Sequence, residues 1–302
     1  MRAFSPEDLE DTDEIVVDKA TFRNKRLSMP VHELRRSEMG KALLRERGRR
    51  DPHVYRSSDG VRPFLFWDGE GVTTNDGRHH YILFGASSGH YTQGRSLGTM
   101  ECLDLLLQCE ADNPDAYHVG FAFKYDVEMI LYELPRQVMQ RLHAGKSAWW
   151  RKYRLEYFPG KWFQVSSKIG NKQVVCKVWD IFGFFQQSFV SALRNMFGEQ
   201  DIFDKIASGK DSRSGFQYKD IETHIKPYWR NELEWGVKMV DRLRELLYAA
   251  DLKIVQWHGP GAIANFCSSD TELKATRAMK FRPVLLMLRN MRSLPEDLNR
   301  SN

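Results

Sequence analysis

Cysteine is scarce in this chain of 302 residues: four thiols, Cys102, Cys109, Cys176 and Cys267, with no Cys-x-x-Cys pair and no zinc-like spacing. That usage argues against a disulfide framework or a thiolate-bound metal and fits reduced thiols in a cytoplasmic protein. No long uncharged apolar run is present, which excludes a membrane-spanning helix. The N-terminus turns acidic at once, in Met1-Arg2-Ala3-Phe4-Ser5-Pro6-Glu7-Asp8, and does not read as a signal peptide. Internal repeats are absent as well. What is there is ordinary: 42% hydrophobic and 28% charged residues, enough for one large domain with extensions or two small ones.

The net charge of +5 says less than its distribution. Residues 1–18 carry seven carboxylates against one arginine, whereas residues 19–56 carry twelve Lys/Arg against four acids. Clustered positive charge is the electrostatic footprint of a polyanion partner, and equally the mark of a solvated helix around Met39–Arg50. Residues 1–60 lack a sustained apolar period and read as a charged arm with a short helix.

Regular structure is expected from Phe64-Leu65-Phe66-Trp67 onward. This run and Tyr81–Gly85 read as two strands joined at Asn75-Asp76-Gly77. Met100, Leu103, Leu106 and Leu107 have helical spacing. His118–Phe121 reads as a buried strand, followed by a helix from about Val127 to Leu134. Three strands are expected at Tyr153–Phe158, Trp162–Ser166 and Gln173–Ile181, then a helix near Phe189–Phe197 and a loop over 208–215. A long helix with Leu233, Val237, Val240, Leu243 and Leu247 in one stripe completes the pattern. Strands followed by strands alternating with helices give an α/β protein, a mixed β-sheet flanked by helices.

The chemistry concentrates in Trp67-Asp68-Gly69-Glu70-Gly71. Two carboxylates two residues apart on a strand point to the same face. Beside an apolar strand they repel each other and are costly to desolvate. A divalent cation removes both costs, and hard oxygen ligands suit Mg²⁺ or Mn²⁺. A hairpin mouth with two solvated acids is the plainer alternative. Asp126 stands at the end of a second apolar strand, in Phe121-Ala122-Phe123-Lys124-Tyr125-Asp126, and Glu232 lies four residues after Tyr228, on the same face of a helix. Acids offered by three separate elements are what two-metal phosphodiester hydrolysis requires.

The order Asp-x-Glu, Tyr-Asp, Tyr-x-x-x-acid resembles the DEDD exonuclease superfamily in its tyrosine-bearing branch. The words Gly120–Leu131, Trp179–Leu193 and Trp257–Ala264 are similar to the exonuclease region of family B DNA polymerases of viral, organellar and linear-plasmid type. The resemblance spans roughly residues 60–265 and implies a ribonuclease-H-like 3′→5′ exonuclease fold with a charged N-terminal arm. It implies two ions, Mg²⁺ or Mn²⁺, held by Asp68, Glu70, Asp126 and Glu232. It further implies an attacking water oriented by Tyr228 and a scissile phosphate steadied by Lys210, with Lys205 as the alternative. Ser188 and Phe189 match the motif that holds a single-stranded DNA 3′ end, and Phe123, Tyr125, Trp149 and Arg213 are the accompanying strand contacts. Three positions depart from the family pattern: Ala122 replaces asparagine, Gly71 replaces threonine, and Glu232 replaces aspartate. The first two losses would loosen the grip on DNA, and the third would shift a metal ligand.

Residues 146–172 interleave seven Lys/Arg with Trp149, Trp150, Tyr153, Tyr157, Phe158, Trp162 and Phe163. Cations beside aromatic faces suit unpaired nucleotides. Strand alternation would instead send Tyr153, Leu155 and Tyr157 into the core, leaving Trp149 and Trp150 as the stacking candidates. His79 and His80 read as solvated and His258 as part of a tight turn. The segment 266–302 reads as a basic amphipathic tail, a docking element. The signatures of a polymerase palm do not occur. The expected activity is therefore a 3′→5′ exodeoxyribonuclease, alone or partnered with a polymerase subunit or the remainder of a polymerase. A catalytically silent single-strand-binding module and a structural subunit are the competing readings. The expected location is the cytoplasm, that of the host if the source is viral, with an organelle still open.

Overall fold

The computed structural model describes residues 14–18 and 26–30, then 62–74, 77–211, 217–250 and 252–268. The chain divides into two compact units, Met1–Val61 and Arg62–Asn302. Within the first, β1 (Glu14–Asp18) pairs antiparallel with β2 (Arg26–Pro30). The β-branched run Ile15-Val16-Val17 favours this strand pair, which the reading of the arm as irregular did not anticipate. The helix expected near Met39–Arg50 lies outside the described residues, as does nearly all of the tail.

The second unit runs β3 (Phe64–Thr73), β4 (His79–Ala86), β5 (Tyr91–Gln93), α1 (Thr99–Asp112), β6 (Tyr117–Gly120), α2 (Lys124–Ile130) and α3 (Arg136–His143). It continues through β7 (Ala148–Trp150), β8 (Tyr153–Phe158), β9 (Trp162–Ile169), β10 (Lys172–Asp180), α4 (Phe182–Phe185), α5 (Phe189–Phe197), α6 (Asp201–Asp211), α7 (Lys226–Ala249) and α8 (Pro260–Ser268). One open sheet of eight strands has the order β5-β4-β3-β6-β10-β9-β8-β7. β6 is parallel to both β3 and β10, and the other neighbours are antiparallel. The architecture is α/β, a mixed sheet flanked by helices. No helix among the described residues is long and apolar enough to cross a membrane.

Period-two alternation divides the core. Phe64, Phe66 and Val72 of β3 join one apolar cluster with α4, α5, α6 and α7. Leu65 and Trp67 face the opposite cluster, with α1, α2 and α3. On α7, Leu233, Val240, Leu243 and Leu247 are buried as one stripe, each contributing about 1.5–3 kcal/mol of burial.

Two boundaries differ from the sequence reading. The strand expected to reach Phe121 stops at Gly120, and the following helix begins at Lys124, so Asp126 sits in a helical first turn. The cause is a sharp reversal at Ala122, whose φ is 53°. Asp180 holds this turn: its buried carboxylate accepts backbone N–H groups of Phe182 (3.0 Å), Ala122 and Phe123. The expected loop over 208–215 is in its first part the end of α6, which buries Phe203 and Ile206 at helical spacing. Gly209, read as a loop glycine, is a close-packing glycine. A Cβ there would stand 2.8 Å from the Tyr228 ring.

A left-handed backbone costs an L-residue with a Cβ roughly 1–2 kcal/mol, and glycine avoids that cost. Ala122→Gly is therefore expected to stabilise the domain by about 1 kcal/mol, read from the midpoint of urea unfolding. An unchanged or lower midpoint would mean that the Asp180 contacts already remove the strain.

Candidate metal centre

Asp68 and Glu70 lie on the face of β3 that α7 covers, and Glu232 comes down from α7 beside them. One carboxylate oxygen from each of the three falls within 4.8 Å of the other two. Glu70 and Glu232 are each 2% exposed. Asp68 is half-buried, and its Oδ2 is out of contact with solvent and has no hydrogen-bond partner. Two contacts fix the helix over the strand. The Trp229 indole N–H donates to the Asp68 carbonyl oxygen at 3.0 Å. Gly236 leaves room for the Phe66 ring, which a Cβ would approach to 2.5 Å.

The cluster is electrostatically unfavourable by itself. Burial raises the Asp68 pKa well above the ordinary carboxylate value, and the charges of Glu232, Glu70 and Asp126 raise it further, against a lowering by Lys210. Lys210 meets this charge directly, its Nζ 2.5 Å from Glu232 Oε1. Lys205, the alternative, is exposed on α6. Several carboxylates facing one ammonium, all oxygen donors, form a set that hard divalent cations accept.

Asp126 is buried next to this cluster without joining it. Its Oδ1 accepts the Tyr81 hydroxyl at 2.8 Å, and its charge reaches Asp68. Burial, then the Asp126 charge, keeps the Tyr81 phenol protonated. Sequence reasoning missed Tyr81, yet a signal existed in Gly69. A Cβ at Gly69 would stand 1.8 Å from the Tyr81 oxygen, so the glycine is the passage by which Tyr81 reaches Asp126. His79 was also underread. It lies 2.6 Å from the Tyr125 hydroxyl and 2.9 Å from Thr73 Oγ1, and Gly71 makes room for both rings. His80 meets Ser96.

The remaining expected residues are dispersed. Tyr228 is buried one turn before Glu232, against Gly209. Ser188 is the N-cap of α5, accepting the Ser191 N–H at 3.1 Å. Phe189 is a core side chain packed on Phe66 and Phe121, with Lys210 Nζ 4.9 Å from its ring. Phe123 is 2% exposed in the opposite core. These two rings are therefore corrected from strand contacts to core, because each leads into a helix whose apolar side faces the sheet. Tyr125 stays 39% exposed. Trp149 sits on β7, the far edge of the sheet, and Arg213 lies outside the described residues.

A second grouping, Glu110, His118 and Cys176, also brings ligand atoms within 4.8 Å. It does not suit a metal. Trp67 Nε1–H donates to His118 Nδ1 at 2.8 Å, so the ring proton sits on Nε2, facing Glu110 Oε2 at 3.0 Å. Burial also raises the Cys176 pKa well above the thiol value, keeping it protonated. Comparison with known protein families, characterised proteins and solved structures returns no match to this chain.

Two outcomes follow from the site. A raised Asp68 pKa means that the native state holds this proton more tightly than the unfolded chain, so stability is lost as pH rises from about 4 through the folded pKa. With a chelator present, Asp68→Asn should exceed wild type in stability at pH 7 and lose that advantage below about pH 4. Mn²⁺ at about a hundredfold over its Kd should stabilise wild type by about 2.7 kcal/mol and leave Asp68→Asn nearly unmoved. Equal metal responses in thermal melts would remove Asp68 from the ligand set. Separately, Tyr81→Phe takes a donor from buried Asp126 and should cost about 1–2 kcal/mol in urea unfolding. A cost near zero would show that Tyr81 does not position Asp126.

Proposed function

We propose that this chain is a metal-dependent 3′→5′ exodeoxyribonuclease with a ribonuclease-H-like fold, related to the proofreading region of family B DNA polymerases. The observation that carries the reading is the convergence of half-buried Asp68 with buried Glu70 and Glu232, within 4.8 Å of one another, from elements about 160 residues apart in sequence. Burying like charges together is costly unless a cation occupies the space between them. Asp68, Glu70 and Glu232 would hold Mg²⁺ or Mn²⁺, with Asp126 completing the set. When bound, such ions supply an activated water and stabilise the leaving oxygen of a phosphodiester.

The chain's own residues divide the other work. Tyr228, packed on Gly209, orients the attacking water. Lys210 neutralises Glu232 in the absence of a cation and is placed to turn its ammonium toward a phosphate when one arrives. Tyr125, held by His79, offers an exposed ring to the terminal nucleotide beside Asp126. Ser188 contributes through the helix it caps. The departure at Ala122 is consistent with the reading. Its left-handed backbone is a conformation that the asparagine of the family pattern tolerates and alanine resists, so the side chain differs where the backbone requirement persists.

A 5′-labelled single-stranded DNA incubated with Mn²⁺ or Mg²⁺ should shorten from its 3′ end, and a blocked 3′-hydroxyl should protect it. Asp68→Ala and Asp126→Ala should each lower the rate at least a hundredfold, on the order of 3 kcal/mol of transition-state stabilisation. Glu232→Gln should depress the rate in either metal, while Glu232→Asp should keep or raise the Mg²⁺-supported rate, because Mg²⁺ tolerates a misplaced ligand less than Mn²⁺ does. Binding of the oligonucleotide with no shortening in any metal would instead establish the silent binding module.

A further inference from the structure

The sheet is covered unevenly. On the half formed by β7, β8, β9 and β10, one face carries Tyr153, Leu155, Phe163, Val165 and Val178 into the core. The opposite face is the same one that bears Asp68 at β3. Registry places Trp179 level with Val119 and Val119 level with Phe66, and Asp68 is the next residue of β3 on that face. Continuing outward, Trp179 pairs with Trp162 and Trp162 with Phe158. A row of three aromatic side chains thus crosses the strands. From β3 to β8 is four strand intervals, about 20 Å at 4.7–4.9 Å each.

Cations are threaded through this row. Lys177 Nζ stands 4.5 Å from the Trp162 ring and 5.1 Å from that of Trp179. Lys161 Nζ stands 5.2 Å from the Phe158 ring. Phe158 is 44% exposed, and Trp149, turned to the same face by its pairing with Arg154, is 66% exposed. Among the side chains that the four strands present here, Glu156 is the single acid, and Arg154 occupies it at 2.9 Å. The face therefore joins aromatic rings and positive charge, with Phe158 and Trp149 exposed and Trp162, Trp179 and Lys177 half-buried. An apolar protein partner would explain the rings but not the lysines. Duplex DNA would explain the lysines but not exposed rings that have no unpaired base to meet.

We propose that this face binds single-stranded nucleic acid, with bases stacked on Phe158, Trp162 and Trp149 and phosphates against Lys161 and Lys177. Flat aromatic faces accept any unpaired base and flanking cations follow the backbone, which gives sequence-tolerant binding that weakens with salt. The platform uses none of the carboxylates and stands whether or not the chain hydrolyses DNA.

The test is fluorescence anisotropy of the full chain with a labelled single strand of about twenty nucleotides, in chelator so that cleavage plays no part. Wild type should bind the single strand more tightly than the matching duplex. Phe158→Ala should weaken binding about tenfold, and Lys161→Ala should reduce the slope of log affinity against log salt by about 0.7. Lys238→Ala, which removes the same charge from α7, should leave the slope unchanged, and circular dichroism should show every variant folded. Wild-type affinity in Phe158→Ala, an equal slope in Lys161→Ala, or a preference for duplex would each overturn the proposal. Loss of DNA hydrolysis with this binding intact would count against the metal centre alone.

Discussion

The docking of α7 across β3 is the constraint on which the rest of the site depends. A helix approaches a strand this closely only where side chains are missing. Gly236 opposite Phe66 provides one such gap, and Gly209 beside Tyr228 provides the matching gap toward α6. The Trp229 hydrogen bond to the Asp68 carbonyl fixes the helix along its axis. Without that registration Glu232 would not meet Asp68 and Glu70. The cost of placing these charges together is borne by the apolar stripe of α7 and by Lys210, which α6 delivers to Glu232.

Asp126 belongs to the same design by a different route. The left-handed turn at Ala122, held by Asp180 at the end of β10, starts α2 early enough to bring Asp126 under β3. Tyr81 then crosses the gap left by Gly69 and holds it. Asp68 and Glu70 are carried by β3, Asp126 is held by Tyr81 of β4, and Glu232 meets Lys210 between two helices, so regular elements and not loops aim the carboxylates. Rigid support of this kind suits a site in which repelling groups must be kept within a few ångströms of one another.

The two halves of the sheet divide the labour between charges of opposite sign. Its β3 side gathers acids under a helix, and its β8 side sets lysines beside half-buried and exposed aromatic rings. Both lie on one face of one continuous sheet. A polyanion held by the second would be presented to the first, and the acids would need a cation to receive it.

Much of this was determined by the sequence alone. Period-two alternation in Phe64–Glu70 places Asp68 and Glu70 on one face wherever the strand sits, and the four-residue spacing of Tyr228 and Glu232 puts both on one side of a helix. Those are local periodicities, set by backbone geometry. The extent of α6, and with it the helical setting of Lys210, was hidden because Ala207-Ser208-Gly209 carries a loop-like composition whose glycine serves packing. The fates of Phe123 and Phe189, the partnership of Tyr81 with Asp126, and that of His79 with Tyr125 depended on which surface each element turns inward. Only the tertiary structure decided these, because such contacts join residues tens of positions apart and leave no period in the chain. The sequence determined which groups share a face, and the fold decided which faces meet.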